Sequence, residues 1–283
     1  MLPSLYYDHQ WKEISVDEES KALAHALGLS PALATFLLEQ FEEEEDILDF
    51  LHPREAHEVI PGTDEVAERI HQAIKKGERI LLFGDYDVDG LTSLALMLQF
   101  FEENKVHVDS FLPNRYEEGY GITMEAIEKL PEVDLLISFD CGISSVEEVE
   151  ALKARGIDVL ITDHHETGDI LPDAPIMNPK LGYSFPYLAG VGVAYKLARY
   201  LSKHYDYMLP KEAIVYAMLG TVCDLMPLQK ENRWMVQQGL EAYSKTSHPG
   251  LRALLEVTGD QQLDATKVGF QLGPMLNKFI SIK

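Results

Sequence analysis

Cysteine is scarce: the 283 residues hold two, Cys141 and Cys223. Two thiols imply no disulfide framework, and a structural zinc site would need more Cys or His at short spacing. Each neighbours an aspartate, Asp140 and Asp224, and both read as small buried residues beside a site. Positive charge is also scarce. Lys and Arg number 24 against 47 Asp and Glu, a formal net charge of −23. That excess argues against broad, nonspecific adhesion to nucleic acid. It does not exclude a nucleic-acid substrate, because a local basic groove or bound metals invert the sign locally. No apolar run approaches the length of a membrane span, and the N-terminus lacks a signal-peptide pattern. A soluble, cytoplasmic protein without a membrane partner is expected. There is no internal repeat, no low-complexity tract and no G-x-x-x-x-G-K-[ST] loop, so P-loop ATP chemistry is not suggested.

What is present is ordinary globular composition, 46% hydrophobic and 25% charged, in a chain long enough for one large or two modest domains. Residues 1–60 read as a small helical region. Ser30-Pro31 is a good N-cap and first helical residue, followed by Leu33, Phe36, Leu37 and Phe41 at helical spacing. The acidic run 42–46 reads as a solvated face. Pro61-Gly62 marks a joint, after which Asp64 is suited to cap a helix carrying Val66, Ile70, Ala73 and Ile74 and stopping at Gly77. Strand candidates then alternate with helices: 79–83, 106–112, 133–139 and 157–161, with helices beginning near Leu91, Thr123 and Ser145. Ser145 to Glu148 has capping-box form. Residues 188–203, 211–219 and 233–243 read as further helices. This order predicts an α/β domain over 61–245, a mainly parallel β-sheet flanked by helices.

Within it, Ile80 to Phe83 reads as a buried strand that ends at Gly84, and Asp85, Asp87 and Asp89 follow at alternate positions before Gly90. Three carboxylates so close repel one another, and a multivalent cation neutralises them. Asp140 follows the apolar run 135–139, Asp163-His164-His165 follows 159–161, and Asp224 follows 217–222. Each is expected at a strand end, where parallel sheets bind ligands. Singly, each Asp is more often a loop or cap residue. Together, carboxylates with one or two imidazoles suit Mn²⁺ especially, and Mg²⁺, Zn²⁺ or Fe²⁺ less decisively. Two metals roughly 3.5–4 Å apart need about this many ligands, one of them bridging. Hydrolysis of a phosphate ester or anhydride is the expected reaction.

Gly84-Asp85-Tyr86-Asp87-Val88-Asp89-Gly90, Asp140-Cys141-Gly142, Asp163-His164-His165 and Gly220-Thr221-Val222-Cys223-Asp224 resemble the successive motifs of the DHH phosphoesterases. Pro113-Asn114-Arg115, Glu118-Gly119-Tyr120-Gly121, Asn178-Pro179-Lys180, the stretch 189–194, and Pro227-Leu228 with Glu231-Asn232-Arg233 are similar to its branch of bacterial single-stranded-DNA exonucleases. The resemblance covers nearly the whole chain. It implies Mn²⁺-dependent removal of nucleotides from the 5′ end of single-stranded DNA, with Mg²⁺ as the alternative ion, in DNA repair and recombination. By position, Asp85, Asp87, Asp89, Asp140, His164 and Asp224 would hold the metals, with Asp87 and Asp140 central to catalysis and Asp140 as the bridge. Asp163 would support a ligating histidine. His165 would contact the scissile phosphate or help the leaving group, and Arg115 would hold a substrate phosphate. Gly190 and Gly192 would let backbone approach the strand, with tight helix packing an equal reading.

The last stretch departs from the family pattern. Residues 269–274 resemble the entrance to its next motif, but only Leu276 and Asn277 fit what should follow. Relatives carry a second domain and a nucleic-acid-binding barrel beyond this point. Residues 246–283 are therefore expected to connect to an absent domain, with a protein partner supplying the missing half of the cleft. The alternatives are a phosphodiesterase of short oligonucleotides or cyclic dinucleotides, and an inactive metal- or partner-binding form.

Overall fold

The computed structural model describes residues 15–114, 117–259 and 263–280, in two units, Met1–Pro53 and Arg54–Lys283. The first unit holds helices α1 (Glu18–Leu27), α2 (Pro31–Gln40) and α3 (Glu44–Leu51). The Ser30 hydroxyl accepts from the Leu33 N–H, and Pro31 takes the first helical position, where no N–H is needed. Leu23, Ala24, Ala34, Leu37 and Ile47 bury one another in its small core.

The second unit begins with α4 (Thr63–Lys76), which buries Val66, Ala67, Ile70 and Ala73 and stops at Gly77. Asp64 lies inside its first turn rather than at its cap, and accepts the Tyr200 hydroxyl. There follow β1 (Ile80–Gly84), α5 (Val88–Glu103), β2 (Asp109–Phe111), α6 (Met124–Lys129), β3 (Leu135–Phe139), α7 (Val146–Ala154), β4 (Asp158–Thr162) and β5 (Ile176–Met177). All the strand pairs are parallel, in the order β2-β1-β3-β4-β5. The sheet is covered on both faces, as the apolar runs predict. Ile80, Leu82, Leu135, Ile137 and Phe139 enter the larger core. Their neighbours Leu81, Phe83 and Leu136 enter the smaller one under α6 and α7, the period of two that a strand imposes.

Register places the site. Gly84 pairs with Phe139, and Phe139 with Thr162, so β1, β3 and β4 end level. Asp85, Asp140 and Asp163 therefore leave the sheet side by side. The order also reverses between β1 and β3, the crevice where open parallel sheets bind ligands.

The larger face is closed by α8 (Gly190–Tyr205), α9 (Ala213–Cys223) and α10 (Lys230–Ser244). Beyond them lie α11 (Pro249–Val257), α12 (Ala265–Lys267), a π-turn over Val268–Leu272 and α13 (Gly273–Ile280). Two expectations change. Residues 217–222 belong to α9, so Asp224 follows a helix and not a strand. Every residue from Val215 to Val222 is buried, and a helix without a polar face shows no periodicity to tell it from a buried strand. Ser145 does sit at the N-cap of α7, but no side chain closes a capping box there. Its hydroxyl donates to the Ile122 carbonyl instead. Among the described residues no single helix is long and apolar enough to cross a membrane.

Candidate metal centre

The turn after β1 supplies three carboxylates in three different settings. Asp85 is buried, and its Oδ1 has no hydrogen-bond partner among the described residues. Burial, reinforced by the charge of Asp87, pushes its carboxyl up to about 7 despite a backbone hydrogen bond from Tyr86. Asp87 caps α5, its Oδ1 accepting from the N–H groups of Asp89 at 2.8 Å and Gly90 at 3.0 Å. Asp89 reaches across to α8, which has no capping side chain of its own. Its two oxygens accept from the Gly190 N–H at 2.6 Å and the Val191 N–H at 2.8 Å. Those donors and the positive end of the helix dipole favour the ionised form. Burial still holds the Asp89 carboxyl near 7.

Asp140 ends β3 in the left-handed region, with φ 65°, which Asp tolerates better than most residues. It is 1% exposed. Burial and the charge of Asp89 push its carboxyl well above the ordinary range, and its Oδ1 lacks a hydrogen-bond partner. A Cβ on Gly190 would lie 2.5 Å from that oxygen, so only glycine lets α8 start here. Gly220 is equally constrained: a Cβ would meet Asp89 Oδ1 at 2.6 Å and Thr92 Oγ1 at 2.5 Å. That approach brings the end of α9, and with it Asp224, up to the cluster. Burial and Asp89 raise the Asp224 carboxyl to about 7, and its Oδ2 has no partner.

His164 Nε2 lies 3.1 Å from Asp140 Oδ1 and 3.7 Å from both Asp89 Oδ2 and Asp224 Oδ2. Burial, then the neighbouring His165, lowers its pKa, with the Leu188 backbone acting in the opposite sense. A neutral ring with its lone pair on Nε2 faces three carboxylates. Lone pairs so arranged repel unless a cation lies among them.

Asp163 stands behind the two histidines. Its Oδ1 accepts from the His164 N–H at 2.7 Å, the His165 N–H at 3.1 Å and His165 Nδ1 at 2.8 Å. Its Oδ2 accepts from the Ile143 N–H at 3.0 Å. Burial opposes ionisation, but hydrogen bonding and charge from His165 win, and the carboxyl lies below its ordinary pKa. The same hydrogen bond raises the pKa of His165. The His165 side chain is 43% exposed, and its Nε2 meets the Tyr120 hydroxyl at 3.1 Å.

Three sets of donor atoms each lie within 4.8 Å of one another: Asp85, Asp87 and Asp140; Asp89, His164 and Asp224; and Asp140, His164 and His165. The six residues expected to hold metal all fall in these sets, and Asp140 and His164 each belong to two of them. Hard carboxylates, borderline imidazoles and three buried oxygens without partners fit two divalent cations.

Of the remaining site residues, Arg115 lies outside the described residues. Gly190 and Gly192 are buried. The position of a Cβ on Gly192 faces Leu188 and Met235 at 3.4 Å, which supports the packing reading for that residue. Residue patterns alone did not assign roles to Tyr120 or Asn178, although both lie in branch-like motifs. Asn178, fully buried, donates to the His165 carbonyl at 3.1 Å.

Residues 79–221 match the model of the DHH family, N-terminal domain. The chain is 40% identical over 282 residues to the single-stranded-DNA-specific exonuclease RecJ of Bacillus subtilis, covering 95% of this chain and 35% of that protein. It superposes on a crystal structure of exonuclease RecJ bound to manganese with TM-score 0.74 and 35% identity, covering 79% of this chain and 58% of that one. For the Mn²⁺ complex of RecJ from Thermus thermophilus the values are 0.77 and 30%, over 90% and 38%. The Mg²⁺ complex of that protein matches with TM-score 0.69 and 27% identity, over 92% and 35%. The chain thus spans little more than a third of the B. subtilis protein.

Proposed function

Because this chain belongs to the DHH family, we propose that it is a metal-dependent phosphodiesterase that releases nucleotides from the 5′ end of single-stranded DNA. The observation that carries the reading is the convergence of Asp85, Asp87, Asp89, Asp140, His164 and Asp224 in sets that overlap at Asp140 and His164. The choice of substrate follows the activity for which the B. subtilis relative is named, and Mn²⁺, with Mg²⁺ as the alternative, follows the ions in the RecJ structures.

Asp85, Asp87 and Asp140 would hold one cation, and Asp89, His164 and Asp224 the other. When bound, such cations offset charge on the phosphoryl group and favour attack by water. His165, held cationic by Asp163 at the mouth of the cluster, would contact the scissile phosphate and give a proton to the leaving oxygen. Arg115 would hold a neighbouring phosphate. We place the activity in the cytoplasm, in DNA repair and recombination. The two free thiols suit a reducing compartment. A protein partner contributing to the substrate cleft belongs to the same proposal.

The test is degradation of a 5′-labelled single-stranded oligonucleotide with Mn²⁺, beside an Asp87→Ala control. Release of the labelled mononucleotide, lost in the control, is expected. Equal release by the control would overturn the reading, and so would bound Mn²⁺ with no hydrolysis in the presence of the partner. Faster cleavage of dinucleotides than of long strands would replace the substrate with short oligonucleotides.

A further inference from the structure

The segment 187–191 touches three of the proposed ligands through its backbone. The Leu188 backbone acts on the His164 ring electrostatically, Asp89 is held by the N–H groups of Gly190 and Val191, and Asp140 packs against Gly190. The fourth contributor, Asp224, arrives from elsewhere, on the loop between α9 and α10. Leu225 in that loop has φ 56° and is 82% exposed, so packing does not hold it. Three hydrogen bonds fix its near end to α9, from the Asp224 N–H to the Gly220 carbonyl, from the Leu225 N–H to the Val222 carbonyl and from the Met226 N–H to the Thr221 carbonyl.

One side chain ties the loop to the segment. Asn232 is fully buried. Its Nδ2 donates to the Tyr187 carbonyl at 2.6 Å and to the Pro227 carbonyl at 3.1 Å, three residues from each of Asp224 and Gly190. Both contacts are carbonyl acceptors, so the amide nitrogen must face them. Among the described residues its Oδ1 has no partner, and the amide is engaged there through its two donors. The first turn of α10 is itself anchored to α8 by the buried pair of Glu231 with Lys196 Nζ, 2.9 Å apart, and that pair sets where the neighbouring amide lies.

We propose that Asn232 is a positioning residue for the metal centre, holding Asp224 at the distance from His164 and Asp89 that lets all three share one cation. This rests on the two-cation reading of the site. It assigns Asn232 to the set of Asp89, His164 and Asp224, and leaves the set of Asp85, Asp87 and Asp140 independent of it. Residues that orient ligands from behind commonly change metal affinity by about 10–100-fold when removed.

The test is Mn²⁺ titration of metal-free protein by calorimetry, with electron paramagnetic resonance of the loaded protein, for the wild type, Asn232→Ala and Asn232→Ser. Serine retains a donor and keeps the test valid if the alanine variant does not fold. In the wild type, two ions and a spin-coupled pair are expected. In the variants one ion should bind as before, while the second binds about 10–100-fold more weakly and the spectrum reverts to isolated Mn²⁺. Two ions bound as tightly by the folded serine variant as by the wild type, with the coupled spectrum intact, would overturn the role of Asn232. A wild type that binds fewer than two ions would instead overturn the two-cation reading.

Discussion

Asp163 and Asp85 leave the same rim of the sheet, after β4 and β1 on either side of β3, and are equally buried, each 1% exposed, yet they meet opposite fates. Asp163 receives three backbone N–H groups and the Nδ1 of His165, and its carboxyl stays below the ordinary range. Asp85 keeps an oxygen without a partner and is pushed up to about 7. Asp140 and Asp224 share its condition. Burial therefore does not by itself decide the charge of these acids; the donors around them do. Where four donors converge, as on Asp163, the acid is part of the scaffold. Where an oxygen is left without one, the acid is left for something that brings positive charge, while Asp87 and Asp89 stand between, holding helix starts from within the cluster.

Replacing one carboxylate oxygen by an amide on each side should separate the two classes most sharply. Asp140→Asn should abolish hydrolysis, by about a thousandfold or more, because the cation held with Asp85 and Asp87 loses a ligand. In metal-free protein the same change should relieve repulsion and raise the melting temperature by about 2–4 °C, the equivalent of about 1 kcal/mol in a chain of this size. Asp163→Asn should act in the opposite sense without metal. It costs about 2–4 kcal/mol, since charge-assisted hydrogen bonds to four N–H groups weaken. Calorimetric melting of both variants without metal checks the signs. Two destabilised variants would show that Asp140, too, is held by its own scaffold.

The pH dependence follows the same division. Asp85, Asp89 and Asp224 titrate near 7 in the folded chain, against about 4 when unfolded. The folded state binds the extra protons, so their contribution is complete below about pH 4 and is lost as pH rises through 7. Asp163, shifted downward, contributes above its unfolded value and loses that contribution as pH falls through its folded one. Metal-free protein should melt at a lower temperature at pH 8 than at pH 6, and Mn²⁺ should raise the melting temperature more at pH 8. A shift on adding Mn²⁺ that is the same at both pH values would mean these carboxyls do not take up the ion.

Asp85, Asp140 and Asp163 were legible in the sequence for a physical reason. Each follows a strand whose buried interior is nearly all apolar, with only the small polar residues Ser138 and Thr162 among them, and the charged residue that follows marks the rim. Asp224 was legible as an acid but misplaced, because α9 is buried on every side and carries no periodic signature. β5, two residues long, is too short to show alternation. The support of the site was less visible. Leu188, Gly190 and Val191 act through backbone groups that any residue carries, and the need for glycine at 190 arises from Asp140, fifty residues earlier. Asn232 reads as one polar residue at a helix start until its two carbonyl acceptors are seen.

The smallest effect is expected from Tyr120→Phe, at the rim of the Asp163 turn. The Tyr120 hydroxyl meets His165 Nε2 at 3.1 Å, but the ring is 51% exposed, so stability should change by no more than about 0.5 kcal/mol. The raised pKa of His165 arises first from its hydrogen bond to Asp163. Asp163→Asn should therefore move the His165-dependent limb of the pH–rate profile to lower pH, toward the ordinary histidine value near 6.5. Tyr120→Phe should lower the rate only a few-fold, about 2–5, and leave that limb in place. Profiles measured on the Mn²⁺-loaded variants decide the point. An equal displacement in both would assign the charge of His165 to the tyrosine, and the turn would no longer be the self-sufficient half of the comparison.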